Sequence, residues 1–185
     1  MDERTDNQLI ELYLSGDEKA FAALLHRHLA LVVNFANTFV KNRQSAEDVA
    51  QEVFVKAWKN LTKFQADGNF KTWLLVIARN SSLDYLRKHK REVANVLSLE
   101  NDFNDGGPDL EAKDDLPMEI FYKKEIKEML ENVLADFSAA EKMLVTLHYY
   151  EQLTFEEMAE ILGESANTVK SRHRRLLVKL RRVLA

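Results

Sequence analysis

The residues best equipped for chemistry lie near the end of the chain. From Ser165 to Ala185 there are seven Lys or Arg and no Asp or Glu. Within that stretch Asn167, Lys170, Ser171 and Arg174 fall at i, i+3, i+4 and i+7, so a helix would carry them on one face. Arginine and asparagine can make paired contacts to base edges, and lysine and serine can serve bases or phosphates. An excess of positive charge with no acid among it suits a polyanion. A basic solvated face on a terminal helix is the plainer alternative, but spacing and charge together favour duplex DNA.

Those four residues need a helix and something to hold it. In LTFEEMAEILG, Phe155, Met158, Ala159 and Leu162 give a short amphipathic helix its buried stripe. Gly163 stands where a left-handed C-cap costs glycine nothing. Ser165 is expected to cap the next helix by accepting from the amide of Thr168. The connection is then Gly163, Glu164 and Ser165, the length of a helix-turn-helix. The second helix would pack through Val169, Leu176, Leu177 and Leu180.

A net charge of -4, from 26 Lys plus Arg against 30 Asp plus Glu, argues against nucleic acid only if charge is spread evenly, and it is not. Eight acids lie between residues 99 and 119 (Glu100, Asp102, Asp105, Asp109, Glu111, Asp114, Asp115 and Glu119) against the single base Lys113. The same window holds both prolines, Pro108 and Pro117, and the Gly106-Gly107 pair. It reads as a flexible acidic linker over 96–119, between a first helical domain at 1–95 and a second at 120–185. The fold class expected is all-α. Absence of cysteine excludes disulfides and thiolate metal sites. No leader pattern precedes the first helix and no apolar run reaches bilayer length, so the expectation is a cytoplasmic protein without membrane insertion.

Four helices are expected in the first domain. One runs from Asp6 to Leu14, and a second from Glu18 to Phe39 with Phe21, Leu24, Leu25, Leu29, Val32, Val33 and Phe35 as its apolar surface. Ser45, with Asp48 three residues on, is expected to start the third, whose apolar face would be Val49, Val53, Phe54, Ala57, Trp58 and Leu61. The fourth begins near Phe70 and continues to about Lys90, with Trp73, Leu74, Ile77, Ala78, Leu83 and Leu86 for the core. From Lys71 to Arg91 it carries six Lys or Arg against one acid, Asp84. Phe64, Phe70 and Trp73 stand in or beside its start, and aromatics among bases can stack unpaired nucleotides. Aromatics at helical spacing are more often core, and that is the expectation for Trp58 and Trp73. Asp48, Glu52 and Lys56 read, by pattern alone, as a solvated face.

Enzyme readings find nothing to stand on. His26 and His28 are two apart and share no helix face, and the five histidines form no metal-ligand set. There is no phosphate-cradling glycine loop and no nucleophile elbow. Glu156 and Glu157 are helix-start acids near a positive dipole end. No catalysis and no cofactor are expected.

Taken in order, the chain resembles a bacterial RNA polymerase sigma factor of the extracytoplasmic-function (ECF) group, within the sigma-70 family. AEDVAQEVFVKAWKN, Ala46 to Asn60, is similar to the family's polymerase-binding helix. FQADGNFKTWLLVIARNSSLDYLRKHKRE, Phe64 to Glu92, resembles the part that opens and reads the -10 element. LTFEEMAEILGESANTVKSRHRRLLVKLR, Leu153 to Arg181, resembles the part that reads the -35 element.

The resemblance implies partners and roles. Asp48, Gln51 and Glu52 would face core RNA polymerase. Phe64, Phe70, Lys71, Trp73, Arg79, Asn80, Asp84, Arg87 and Lys88 would serve the -10 strand, the loop from Phe64 to Asn69 holding a flipped base. Ser165, Asn167, Lys170, Ser171 and Arg174 would meet the -35 duplex of promoter DNA. The linker would pass through the polymerase, its acids either mimicking phosphate or merely solubilising. An anti-sigma protein is a plausible further partner, and a monomer is expected outside the polymerase complex. His173 stands where relatives usually have leucine, and a half-buried neutral histidine is the expectation there. Ala135-Asp136-Phe137 replaces the family's frequent Leu-Pro pair, and Glu164 puts a negative group near the expected phosphates. The other reading is a stand-alone helix-turn-helix regulator whose first domain never touches polymerase.

Overall fold

The computed structural model describes residues 3–64, 68–94 and 137–184. The described residues form helices only, in two clusters. The first contains α1 (Asp6–Leu14), α2 (Glu18–Val40), α3 (Arg43–Asn60) with a tight 3-10 turn at Leu61–Lys63, and α4 (Phe70–Ala94). The second contains α5 (Ala139–Val145), a wide π turn at Thr146–Tyr150, α6 (Phe155–Leu162) and α7 (Ala166–Leu184). The 96–119 linker falls outside the described residues.

Each helix start has a local cause. Thr5 opens α1 with a reciprocal capping box to Gln8. Asp17 accepts from the Lys19 amide at 3.0 Å to open α2. Lys41 ends α2 in the left-handed region at φ 57°, and Asn42 then caps α3 by accepting from the Ser45 amide at 2.9 Å. Helix α3 therefore starts three residues earlier than Ser45 suggested. The Ser45 hydroxyl instead accepts from the Tyr85 hydroxyl of α4 at 2.8 Å.

In the first cluster α2 packs on α1, α3 and α4, and α3 packs on α4. The core contains Leu9 and Ile10, then Leu24, Val32, Val33 and Phe35, then Val49, Val53, Phe54 and Ala57, then Phe70, Leu74, Leu75 and Ala78. Three expectations fail. Leu29 is exposed while His28, one residue earlier, is 4% exposed. Ile77, Leu83 and Leu86 are only half-buried, and Leu75 lies inside instead. Trp58 is 51% exposed and does not belong to the core.

His28 goes inside because α1 supplies a charge for it. Its Nε2 lies 2.7 Å from Asp6 Oδ2, and the Arg27 guanidinium donates to Asp6 Oδ1 at 2.6 Å. Burial pushes the Asp6 carboxyl up, but the hydrogen bonds and charges of His28 and Arg27 outweigh it and hold it below the ordinary carboxylate value. A buried polar group so paired is tolerable.

Candidate nucleic-acid interface

The second cluster is built to present α7. Ser138 and Glu141 form a capping box for α5, and a second box follows at α6. There the Thr154 amide and hydroxyl both donate to Glu157 Oε2 at 2.8 Å, and the Glu157 amide returns to Thr154 Oγ1 at 3.2 Å. Gly163 closes α6 in the left-handed region at φ 64°. The Ser165 hydroxyl accepts from the Thr168 amide at 3.1 Å, which opens α7 as expected. Met158 and Ala159 are buried, as are Val169 and Leu176; Phe155, Leu162, Leu177 and Leu180 are half-buried, and Ile161 is inside where the pattern had favoured Leu162.

On α7, Asn167, Lys170, Ser171 and Arg174 are all exposed on one face, as the spacing requires, and Ser165 is exposed just before them. Three of the helix's basic residues are already engaged by acids, Lys179 by Glu141 at 3.2 Å among them. Lys170 Nζ lies 2.9 Å from Glu156 Oε1 and 5.9 Å from the centre of the Phe155 ring. The Arg172 guanidinium lies 2.9 Å from Glu164 Oε1, so the turn acid is tied to its own helix. The hydrogen bond from Lys170, then the Glu156 backbone and the Lys170 charge, holds the Glu156 carboxyl below the usual range.

His173 is half-buried among aromatic rings. Its Nε2 lies 2.8 Å from the Tyr149 hydroxyl, and its ring meets His148 at 4.9 Å and Phe155 at 5.1 Å between centres. His148 stacks on Phe155 at 4.6 Å and its Nδ1 is 3.0 Å from the Leu153 carbonyl oxygen, which makes Nδ1 the donor. Burial pushes the His173 imidazole down and the neighbouring His148 adds to the effect. Phe137 is fully buried, with Lys179 Nζ 4.4 Å over its ring.

The first cluster offers two further surfaces. On α4, Asn80, Arg87 and Lys88 are exposed, Asp84 is half-exposed, and Arg79 and Lys71 are half-buried. Asn80, Asp84 and Arg87 share a face, with Arg87 3.1 Å from Asp84. At the start of α4, Phe64, Phe70 and Trp73 form one aromatic cluster with ring centres 5.5 to 5.8 Å apart. Phe70 is 3% exposed and forms its floor, whereas Phe64 and Trp73 are half-buried. Of the adjoining loop, residues 65–67 lie outside the described residues.

The other surface lies on α3. Asp48, Gln51 and Glu52 are exposed, and further along the same helix Val55 is 49% and Trp58 51% exposed. Sequence reasoning missed both apolar members. A wheel at about 100° per residue carries the signal, since Trp58 falls about 40° past Phe54, on the side of Gln51, with Val55 beyond. Lys56 Nζ reaches Glu52 at 2.7 Å and donates to the buried Ser81 hydroxyl of α4 at 2.9 Å, joining this face to the -10 candidate helix.

A helix-turn-helix with a basic second helix in one cluster and a basic, polar α4 in the other mark a DNA-binding protein. Comparison with known proteins agrees. Sigma-70 region 2 matches residues 24–92, and Sigma-70 region 4 matches residues 133–182. The chain is 31% identical over 170 residues to the RNA polymerase sigma-H factor of Pseudomonas aeruginosa, covering 90% of this chain and 87% of that one. It is 31% identical over 172 residues to the ECF RNA polymerase sigma-E factor of Escherichia coli, covering 91% and 88%. Among solved structures, the sigma factor RpoE of Bartonella quintana, in complex with the anti-sigma factor NepR, is similar with a TM-score of 0.60 and 27% identity, covering 90% of this chain and 97% of that one.

The chain belongs to the ECF group of the sigma-70 family of RNA polymerase sigma factors. It directs RNA polymerase to promoters through its region 2 and region 4 parts, and sigma factors carry no catalysis of their own. No described residues group to hold a metal ion, and no described helix is long and apolar enough to cross a membrane.

Proposed function

We propose that the three surfaces divide the work of promoter recognition. The α3 stripe of Asp48, Gln51 and Glu52, with exposed Val55 and Trp58 further along, docks on core RNA polymerase. An exposed valine and a half-exposed tryptophan on the same helix as Asp48, Gln51 and Glu52 fit a protein interface with apolar and charged members. That stripe is the observation that carries the reading.

Helix α7 enters the major groove at -35 in the helix-turn-helix manner, with Asn167, Lys170, Ser171 and Arg174 toward the duplex and Ser165 at its start. On α4, Asn80, Asp84 and Arg87 meet the unpaired -10 strand, with Lys71, Arg79 and Lys88 on its phosphates. Phe64 and Trp73 are the stacking members of the aromatic cluster, and Phe70 supports them from below. Stacking and pocket contacts lower the free energy of unpaired bases, which favours the open state without any bond being made or broken. The polymerase supplies the chemistry.

The domains proposed are 1–95 and 120–185 joined by the acidic segment 96–119, in a cytoplasmic protein that is monomeric away from polymerase. An anti-sigma protein, as in the Bartonella quintana complex, would act by covering the α3 stripe or the DNA-reading faces.

Replacing Asp48 and Glu52 together by alanine tests the reading. Both are exposed and the Glu52–Lys56 pair is open to solvent, so the melting midpoint should change little, while affinity for core polymerase falls by about tenfold or more. A stand-alone regulator would bind its DNA as before and show no polymerase affinity to lose.

A further inference from the structure

The contact between Glu156 and Lys170 has no role in the division of work above. Glu156 is the second residue of α6 and Lys170 the fifth of α7, so the pair bridges the two helices of the helix-turn-helix. Its atoms are 2.9 Å apart with side chains 67% and 48% exposed. An ion pair that open to solvent contributes little to folding. It does fix where one of the four candidate base- and phosphate-facing residues keeps its charge. The Phe155 ring on the same side, 5.9 Å from Nζ, gives the ammonium a second support.

We propose that Glu156 is a specificity-determining residue of the -35 interface, acting by holding Lys170. The proposal rests on the assignment of α7 as the -35-reading helix. An ammonium has three donors, and Glu156 takes one. The other two point toward a guanine edge or a phosphate only when the duplex presents an acceptor within reach of the held position. A free lysine on its flexible stem would reach some phosphate on any sequence. The carboxylate works in the same direction, because it stands within a Debye length of the backbone and repels phosphates regardless of sequence. Glu156 thus weakens binding to every duplex and weakens it least on the one whose acceptor matches.

The experiment uses holoenzyme assembled from core polymerase and the full chain. A -35 duplex selected by wild-type holoenzyme from a randomised pool is compared with the same fragment carrying a scrambled -35, across a KCl series. In Glu156→Gln, binding to the scrambled fragment should rise about three- to tenfold, with a salt slope steeper by about one phosphate, and the selected-to-scrambled ratio should fall at least about threefold. In a Lys170→Ala background the same change should leave the ratio where Lys170→Ala alone puts it.

A ratio unchanged in Glu156→Gln overturns the proposal, and so does a change in that ratio that persists without Lys170. If Lys170→Ala leaves binding to the selected fragment intact, the assignment of the α7 face itself fails. If Lys170→Ala abolishes the preference but Glu156→Gln does not alter it, the assignment stands and the role given to Glu156 is wrong.

Discussion

Trp58 is the point at which the polymerase reading can be measured as a free energy. Its side chain is half-exposed, so truncation takes the buried half from the fold and the exposed half from a partner. A tryptophan buries about 150–250 Å² when fully enclosed, so the half still in water amounts to about 100 Å² available to a partner. At about 25 cal/mol per Å² that surface contributes about 2.5 kcal/mol, or roughly 70-fold in Kd. Ordering and imperfect fit reduce the yield of buried area, so Trp58→Ala should weaken binding to core polymerase by about 10- to 70-fold. The assay is competition of labelled wild-type chain from core enzyme by the variant, with a melting curve to confirm that α1 to α4 remain folded. An affinity within about twofold of wild type, with α1 to α4 still folded at the assay temperature, would refute the placement of Trp58 at the polymerase interface.

Two further substitutions test the clusters themselves. Asp6→Asn leaves the buried His28 and the Arg27 guanidinium without their carboxylate and should cost about 1–3 kcal/mol, seen as a lower melting midpoint. Because the folded Asp6 carboxyl lies below its unfolded value, its contribution is present above about pH 4 and is lost as pH falls through the folded value. The wild-type stability should therefore drop in that acid range by more than that of Asp6→Asn, and parallel acid profiles would contradict the pair. His173 carries the opposite chemistry. Its folded imidazole is pushed down by burial and by His148, so the unfolded chain takes the proton first as pH drops below about 6.5. Stability of the second cluster should decline as pH falls through that window, and His173→Leu should flatten the decline; an unchanged slope would argue against burial among His148, Tyr149 and Phe155.

What could be read from the chain alone followed the range of the forces involved. Gly163, Ser165 and Thr168 act on their immediate neighbours, so the turn and the start of α7 were legible from residue types. The exposed polar set on α7 was legible because polar and apolar positions alternate there with one clear period. The start of α3 was not, since two residues three apart could each cap it. The choice of Asn42 goes with Lys41 in the left-handed region and with Ser45 being taken by Tyr85, 40 residues away. Leu29 lost its expected apolar place, with His28 inside instead, for the same kind of reason. The charge that makes a buried imidazole acceptable comes from Asp6 on another helix, which periodicity within α2 does not register. Trp58 was misplaced because its residue type outweighed its angle on the wheel. A large aromatic on the polar face is what an interface needs, and a rule written for isolated domains assigns it to the core.

The central claim, that this chain gives core polymerase its promoter address, is tested most directly by transcription from sheared genomic DNA with core RNA polymerase of the same organism, with and without the protein, mapping 5′ ends. Discrete new starts preceded by shared -35 and -10 sequences, lost on substitution of Asp48 and Glu52, are the predicted result. DNA binding by the chain with no new starts would contradict it.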